Sequence, residues 1–204
     1  MIRAVLFDFG GVIAEEGFHR GMKALAEAQG FDPKRFFAIA EFVIHDIGYV
    51  TGRSDEPAFW KALKSATGLR GDDADLREAV LSRFVLRHGV LGLADRLRKS
   101  GIFAGILSDQ TDWLAELDRR TPFFARFDRV LNSFHLGKSK RDPSLFPEAC
   151  AMIGFRPEEV LFVDDTLDHI RRAETAGLHV LHCAETEVCV AGVEELVGIE
   201  RPSR

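Results

Sequence analysis

Asp8 follows the apolar run Val5-Leu6-Phe7, and Asp164-Asp165 follow a second run, Val160-Leu161-Phe162-Val163. Short apolar runs closed by a polar residue and followed by a helical pattern read as buried parallel strands. In an open α/β sheet the ligand site lies outside the carboxyl ends of the strands. The three carboxylates are therefore expected at one edge. Carboxylates brought together repel unless a cation neutralises them, and the hard, oxygen-seeking Mg²⁺ is the usual answer. Asp8 so placed can attack phosphorus and form an acyl phosphate. Gly10 and Gly11 let the backbone approach a phosphate and aim N–H groups at it. Ser108 closes the run Phe103–Leu107 and can donate to a phosphate oxygen. Lys140, in a loop after Gly137, can neutralise nucleophile and phosphate together, with Lys138 as a rival. Each residue alone has a plainer reading: a turn aspartate, a serine after a strand, a solvated lysine. Asp164 or Asp165 could also cap a helix starting near Leu167, and Asp168 could hold the loop or a water.

The elements that must position these groups follow from periodicity. A strand runs over roughly residues 3–8. Residues 17–87 then carry apolar residues at helical spacing, as in Met22, Leu25 and Ala26, and read as three or four helices without a strand. Asp32 and Pro33 suit a helix start, and Ser54 opens another with Pro57 near its beginning. Beyond them strand and helix alternate. Helix 90–99 leads to a strand at 103–107, then helix 111–119 and a short strand at 129–131. Helix 143–153, with Asp142 near its start, precedes a strand at 160–163, helix 167–176, and a strand at 178–182. A short helix around 193–197 and a fraying tail complete the chain. Such alternation predicts a parallel sheet with right-handed crossovers. The expected fold is α/β: a Rossmann-like three-layer core, residues 1–14 and 89–204, with an α-helical cap inserted at 15–88.

The bulk composition narrows the function. The chain has 204 residues, 46% of them hydrophobic, enough for a sizeable core. A net charge of −5 without basic clusters argues against nucleic-acid binding. Asp8, Glu15 and Glu16 interrupt the N-terminal apolar stretch too early for a signal peptide, and no run is long enough to span a membrane. Three cysteines without a Cys-x-x-Cys pair suit reduced thiols in the cytoplasm. The protein is expected to be a monomer or homodimer.

In order and spacing these residues resemble the haloacid dehalogenase superfamily across nearly the whole chain. Asp8-Phe9-Gly10-Gly11-Val12 is similar to its first motif and Ile106-Leu107-Ser108 to its second. Gly137-Lys138-Ser139-Lys140-Arg141-Asp142-Pro143 is similar to the third, and Phe162-Val163-Asp164-Asp165 to the fourth. The helical insertion lies where the family's subclass I carries its cap. The resemblance implies Mg²⁺, phosphoryl transfer through an aspartyl-phosphate and, as the expected partner, a small phosphorylated metabolite. Asp8 would be nucleophile and metal ligand, with the Gly10 carbonyl and Asp165 as further ligands and Asp164 assisting. Ser108 and the backbone near Gly11 would hold phosphate, and Lys140 would stabilise the transferring charge.

Three positions depart from the pattern. The family's phosphatases usually carry an acid–base aspartate two residues after the nucleophile, where this chain has Gly10. Such help is worth about 10²–10⁴ in rate. The same Asp-x-Gly variant resembles a branch acting on sugar phosphates. Asp109 stands where asparagine is common. It is expected either to stay protonated near substrate and partly replace the missing acid, or to point away and cap the helix near Thr111. Arg141 replaces a proline, altering loop stiffness or adding positive charge.

The cap's aromatic residues, among them Phe18, Phe36, Phe37, Phe42, Phe59 and Trp60, are expected mostly in its own core, with one or two facing the site. His19, Arg20, His45 and Arg53 are its polar candidates for substrate contact. Two other functions stay open. A 2-haloacid dehalogenase would use Asp8 on carbon without metal, which Asp164-Asp165 argues against. A binding or regulatory protein of the same fold is favoured by Gly10 and opposed by the Asp8, Ser108, Lys140 and Asp165 set. A phosphomutase, too, would want the acid that Gly10 replaces.

Overall fold

The apolar run that precedes Asp8 forms the central strand of a five-stranded parallel sheet. The computed structural model describes residues 1–183 and 185–199. Strands β1 (Ala4–Phe7), β2 (Phe103–Ser108), β3 (Arg129–Asn132), β4 (Val160–Asp164) and β5 (His179–His182) lie in the order β3-β2-β1-β4-β5. All four residues of β1 are buried because both faces of the sheet are covered, which is why the strand shows no polar alternation. The two-residue period instead divides its side chains between two cores. Val5 and Phe7 join Ile106, Leu161 and Val163 on one face. Ala4 and Leu6 join Leu107, Leu131 and Phe162 on the other.

Register brings the chemical residues together. Phe7 lies opposite Ile106 on one side and Val163 on the other. The next residues, Asp8 and Asp164, thus leave the sheet at the same level, and the Asp8 N–H donates to the Val163 carbonyl at 2.8 Å.

Between β1 and the next helix of the core stands the helical insert: α1 (Gly17–Ala28), α2 (Pro33–Asp46), α3 (Glu56–Thr67) and α4 (Asp73–Leu81). Asp32, Asp55 and Asp72 cap the last three, accepting the N–H of Arg35 at 2.7 Å, Ala58 at 3.0 Å and Ala74 at 2.9 Å. The cap of α3 is therefore Asp55 and not Ser54; a carboxylate answers both the free N–H groups and the helix dipole. The two chain crossings into the insert run antiparallel, with Glu15 N–H to Val85 O at 2.9 Å and Arg87 N–H to Ile13 O at 2.8 Å. Further joints fix the insert over the sheet edge. Tyr49 Oη donates to Asp112 at 2.5 Å, and the Glu56 carboxylate accepts the indole N–H of Trp60 at 2.9 Å and of Trp113 at 3.0 Å.

The remaining elements are α5 (His88–Lys99), α6 (Trp113–Arg120), α7 (Ser133–Leu136), α8 (Leu145–Ile153), α9 (Leu167–Thr175) and α10 (Thr186–Val197). Helix α8 starts two residues later than its pattern suggests, because Asp142 accepts both the N–H and the hydroxyl of Ser144 in a turn. The single turn α7 is too short for periodicity to reveal. Helix α10 is longer than expected: Cys189 and Val193, four residues apart, are buried against the core. The expected fraying tail lies beyond residue 199, outside the described residues. No helix among the described residues is long and apolar enough to cross a membrane.

Candidate active site

Asp8 is 8% exposed, and both of its carboxylate oxygens are fixed. Oδ1 accepts its neighbour's N–H at Phe9 (2.7 Å) and the Ser108 hydroxyl (2.6 Å). Oδ2 lies 2.8 Å from Lys140 Nζ. That ammonium also meets Asp164 Oδ2 at 2.6 Å, and both Lys140 and Asp164 are fully buried. Asp109, at the end of β2, accepts the Lys140 backbone N–H on both oxygens, at 2.9 and 3.1 Å. It caps no helix near Thr111; the Thr111 hydroxyl accepts the Trp113 N–H instead. Lys138 turns outward to Glu148 at 2.7 Å and Ser144 at 2.9 Å, so Lys140 alone of the two lysines enters the site.

Charge in this site is unevenly matched. Burial works against the Lys140 ammonium, yet Asp164, Asp8 and Asp109 outweigh it and hold its pKa above the ordinary value. Burial would also raise Asp164, but Lys140 and His169 hold it well below the usual carboxylate range. The other acids go the opposite way. Asp8 is pushed up to about 7 by burial, against the pull of Lys140. Glu16 is pushed up to about 7 by burial and then by the charges of Asp165 and Asp8. Asp165 is raised by burial and by Asp164, and Asp109 by burial. One lysine does not neutralise the cluster. An excess of hard oxygen donors facing a cavity suits Mg²⁺. Asp8, Asp164 and His169 offer ligand atoms within 4.8 Å of one another. Asp164 is already engaged by Lys140 and by the Thr166 N–H at 2.7 Å, whereas Asp165 faces the pocket.

The sequence and the fold are similar to those of known proteins. The sequence fits the family of haloacid dehalogenase-like hydrolases over residues 2–177. The chain belongs to that family. It is 29% identical over 203 residues to phosphoserine phosphatase of Thermus thermophilus, covering 88% of this chain and 80% of the relative. It is 21% identical to bifunctional epoxide hydrolase 2 of Sus scrofa over 98% of its own length, and spans only 39% of that protein. Among solved structures, a family enzyme of Bacteroides thetaiotaomicron in complex with magnesium and inorganic phosphate superposes with a TM-score of 0.73. It is 20% identical and covers 91% of this chain and 96% of its own.

The hydrolase has a half-open cavity of about 380 Å³ between the sheet edge and the insert. Asp8, Lys140 and Asp165 form its floor, and Phe18, Phe37 and Ile44 of the insert its roof. Phe18 and Phe37 are thus the insert aromatics that face the site; Phe36, Phe59 and Trp60 are buried in the insert, and Phe42 is 64% exposed. Gly11 has φ +75°, and a Cβ there would lie 1.9 Å from Asp165 Oδ2, so glycine is required both by the turn and by the acid beside it. Of the polar candidates on the insert, His19 and His45 line the cavity. Arg20 pairs with Glu15, and Arg53 with the Thr51 hydroxyl at 3.2 Å. Burial, then the charges of Arg141 and His169, push His45 down to about 4. Arg141 lies at the mouth and pairs with Glu41 of α2 at 3.2 Å.

Two residues of the hydrolase's site escaped sequence reasoning. His169 Nδ1 lies 3.2 Å from Asp164 Oδ2, while Asp168, one residue earlier, is exposed and pairs with Arg171 at 3.2 Å. The buried stripe Ile170 and Ala173 carried a signal, since on a helix it turns 169 inward and 168 outward. Glu16 gave no such signal. It lies on a linker whose path, not its periodicity, carries the side chain into the cavity.

Proposed function

We propose that this hydrolase is a Mg²⁺-dependent phosphatase of a small phosphorylated metabolite, working through an aspartyl-phosphate on Asp8. One observation carries the reading: the Asp8 carboxylate, held by Ser108 at 2.6 Å and Lys140 at 2.8 Å, lines a half-open pocket beneath the insert. A carboxylate fixed in this way is oriented for in-line attack on phosphorus. Ser108 and the N–H groups near Gly11 hold the phosphoryl oxygens, and the Lys140 ammonium offsets the charge that grows on them. Asp109 keeps the Lys140 loop against β2. Asp8, the Gly10 carbonyl and Asp165 would hold the ion, with Asp164 assisting. When bound, Mg²⁺ supplies charge neutralisation and polarises the phosphoryl group.

The phosphoserine phosphatase likeness and the magnesium and phosphate complex of the structural neighbour support this reading. In it, residues 1–14 and 89–204 form the core and 15–88 the cap, and the protein works in the cytoplasm with its three buried thiols reduced. The Asp8-Phe9-Gly10 sequence and a cavity of about 380 Å³ suit a sugar phosphate or similarly small ester. The acidic excess beside Asp8 counts against a dehalogenase acting on carbon without metal. Phosphate release from a panel of phosphorylated metabolites and p-nitrophenyl phosphate tests the reading. Activity that needs Mg²⁺ and disappears in Asp8→Asn is expected; halide release from 2-haloacids in EDTA, or silence throughout, overturns it.

A further inference from the structure

An ester oxygen that leaves phosphorus needs a proton, and the water that later attacks the acyl phosphate must lose one. Position 10, two residues after the nucleophile, has no side chain to serve. The cavity is lined by five carboxyl groups, of Asp8, Glu16, Glu41, Asp109 and Asp165. Asp8 attacks. Asp109 holds the Lys140 N–H on both oxygens, and Glu41 is paired with Arg141 at the mouth. Asp165 packs against Gly11, on the side of the proposed ion. Glu16 remains.

Its placement is specific. A Cβ built on Gly10 would lie 2.5 Å from Glu16 Oε1 and 3.5 Å from its Cδ. The Glu16 carboxyl thus fills the volume into which a side chain at position 10 would grow. Gln110 Nε2 borders the same point at 3.8 Å. Glu16 is the residue that opens α1, and the helix does not use up its carboxyl: the backbone N–H of His19 interacts with it, yet Oε1 stays turned toward Gly10. The nearby arginines do not take it either: Arg20 and Arg87 both go to Glu15, and among the described residues Glu16 forms no ion pair.

We propose that Glu16 is the general acid and base of the reaction, delivered from the linker into the space that Gly10 leaves open. The proposal rests on the phosphatase reading. In the first step an Asp8 oxygen bonds to phosphorus. The ester P–O bond breaks, and its electron pair stays on the leaving oxygen, which takes the proton of the Glu16 carboxyl. In the second, a water oxygen bonds to phosphorus and passes a proton to the Glu16 carboxylate. The P–O bond to Asp8 then breaks, returning the aspartate and releasing inorganic phosphate.

The test uses the full chain in Mg²⁺ with phenyl phosphate, whose leaving group needs the proton, and p-nitrophenyl phosphate, whose leaving group needs it far less. Glu16→Gln should lower kcat on phenyl phosphate by about 10²–10⁴-fold. On p-nitrophenyl phosphate it should give a burst of nitrophenol near one equivalent, with phosphate trapped on the protein, followed by slow turnover. Gly10→Asp combined with Glu16→Gly should restore a large share of both rates by supplying a carboxyl from the other side of the same space. Wild-type rates in Glu16→Gln, or a loss without a burst that the double variant does not repair, overturn the proposal while Asp8-dependent phosphate release leaves the phosphatase reading standing. No phosphate release by the unmodified protein overturns both.

Discussion

Lys140 and Asp164 form an ion pair of 2.6 Å in which neither side chain reaches solvent. Removing one partner of such a pair leaves a buried charge without compensation, at a cost of about 3–5 kcal/mol. Here the ammonium also separates Asp164 from Asp8, 2.8 Å away on its other side. Lys140→Met should therefore lower stability to urea by about that amount and reduce phosphate release by at least about 10²-fold. Lys140→Met with Asp164→Leu should regain most of the stability and none of the activity. A single variant that loses less than about 1 kcal/mol, the scale of an exposed pair, would show that the two charges do not depend on each other.

Gly11 and Asp165 compete for the same space. The Cβ of Gly11→Ala would meet Asp165 Oδ2 at 1.9 Å, at a φ of +75° that side chains avoid. Either the turn opens or Asp165 moves, and in both cases the carboxylate leaves the pocket floor. Gly11→Ala should weaken Mg²⁺ binding measured by calorimetry and cost about 1–3 kcal/mol of stability from the strained backbone. Wild-type Mg²⁺ affinity in this variant would remove Asp165 from the proposed ligand set.

How far the sequence reveals such relationships depends on what fixes each residue. Asp8, Ser108 and Asp164 were readable because a strand ending in a polar residue, in a sheet covered on both faces, leaves that residue nowhere but the carboxyl edge. Lys140 and Lys138 were not separable by sequence. The choice is made by the Asp109 carboxylate, which pulls the Lys140 N–H toward β2 and leaves Lys138 facing Glu148. Glu16 depends on the course of a linker, and the length of α10 on tertiary contact: a Cβ at Gly192 would lie 3.1 Å from Leu181 Cδ2, a close approach no local pattern announces.

Glu159 provides a pH test away from the site. The Arg156 N–H (3.0 Å), then the side chains of Arg3 (3.0 Å) and Arg156 (3.2 Å), pull its pKa down to about 2, with Glu158 also on Arg156. A folded pKa below the unfolded one means stability that is fully present above the unfolded value, 4.5, and lost as pH falls toward 2. The stability difference between the wild type and Glu159→Gln should be constant from pH 8 to about 5 and shrink steadily below that. A difference that grows on acidification would contradict the assigned direction.

Asp165 offers the opposite sign, and with it a readout of the ion that does not need turnover. Burial and the neighbouring Asp164 raise its pKa, so its ionised form is disfavoured in the folded protein. At neutral pH without divalent ions, Asp165→Asn should therefore melt at or above the wild-type temperature. Mg²⁺ binds the folded state alone and should raise the wild-type Tm in proportion to the logarithm of its concentration above Kd. Asp165→Asn should lose most of that rise, because it removes a hard anionic donor from the pocket floor. Thermal melts in EDTA and across a Mg²⁺ series measure both quantities at once. A variant that is less stable in EDTA yet still gains the full Mg²⁺ increment would place the ion elsewhere, on Asp8 with Asp164.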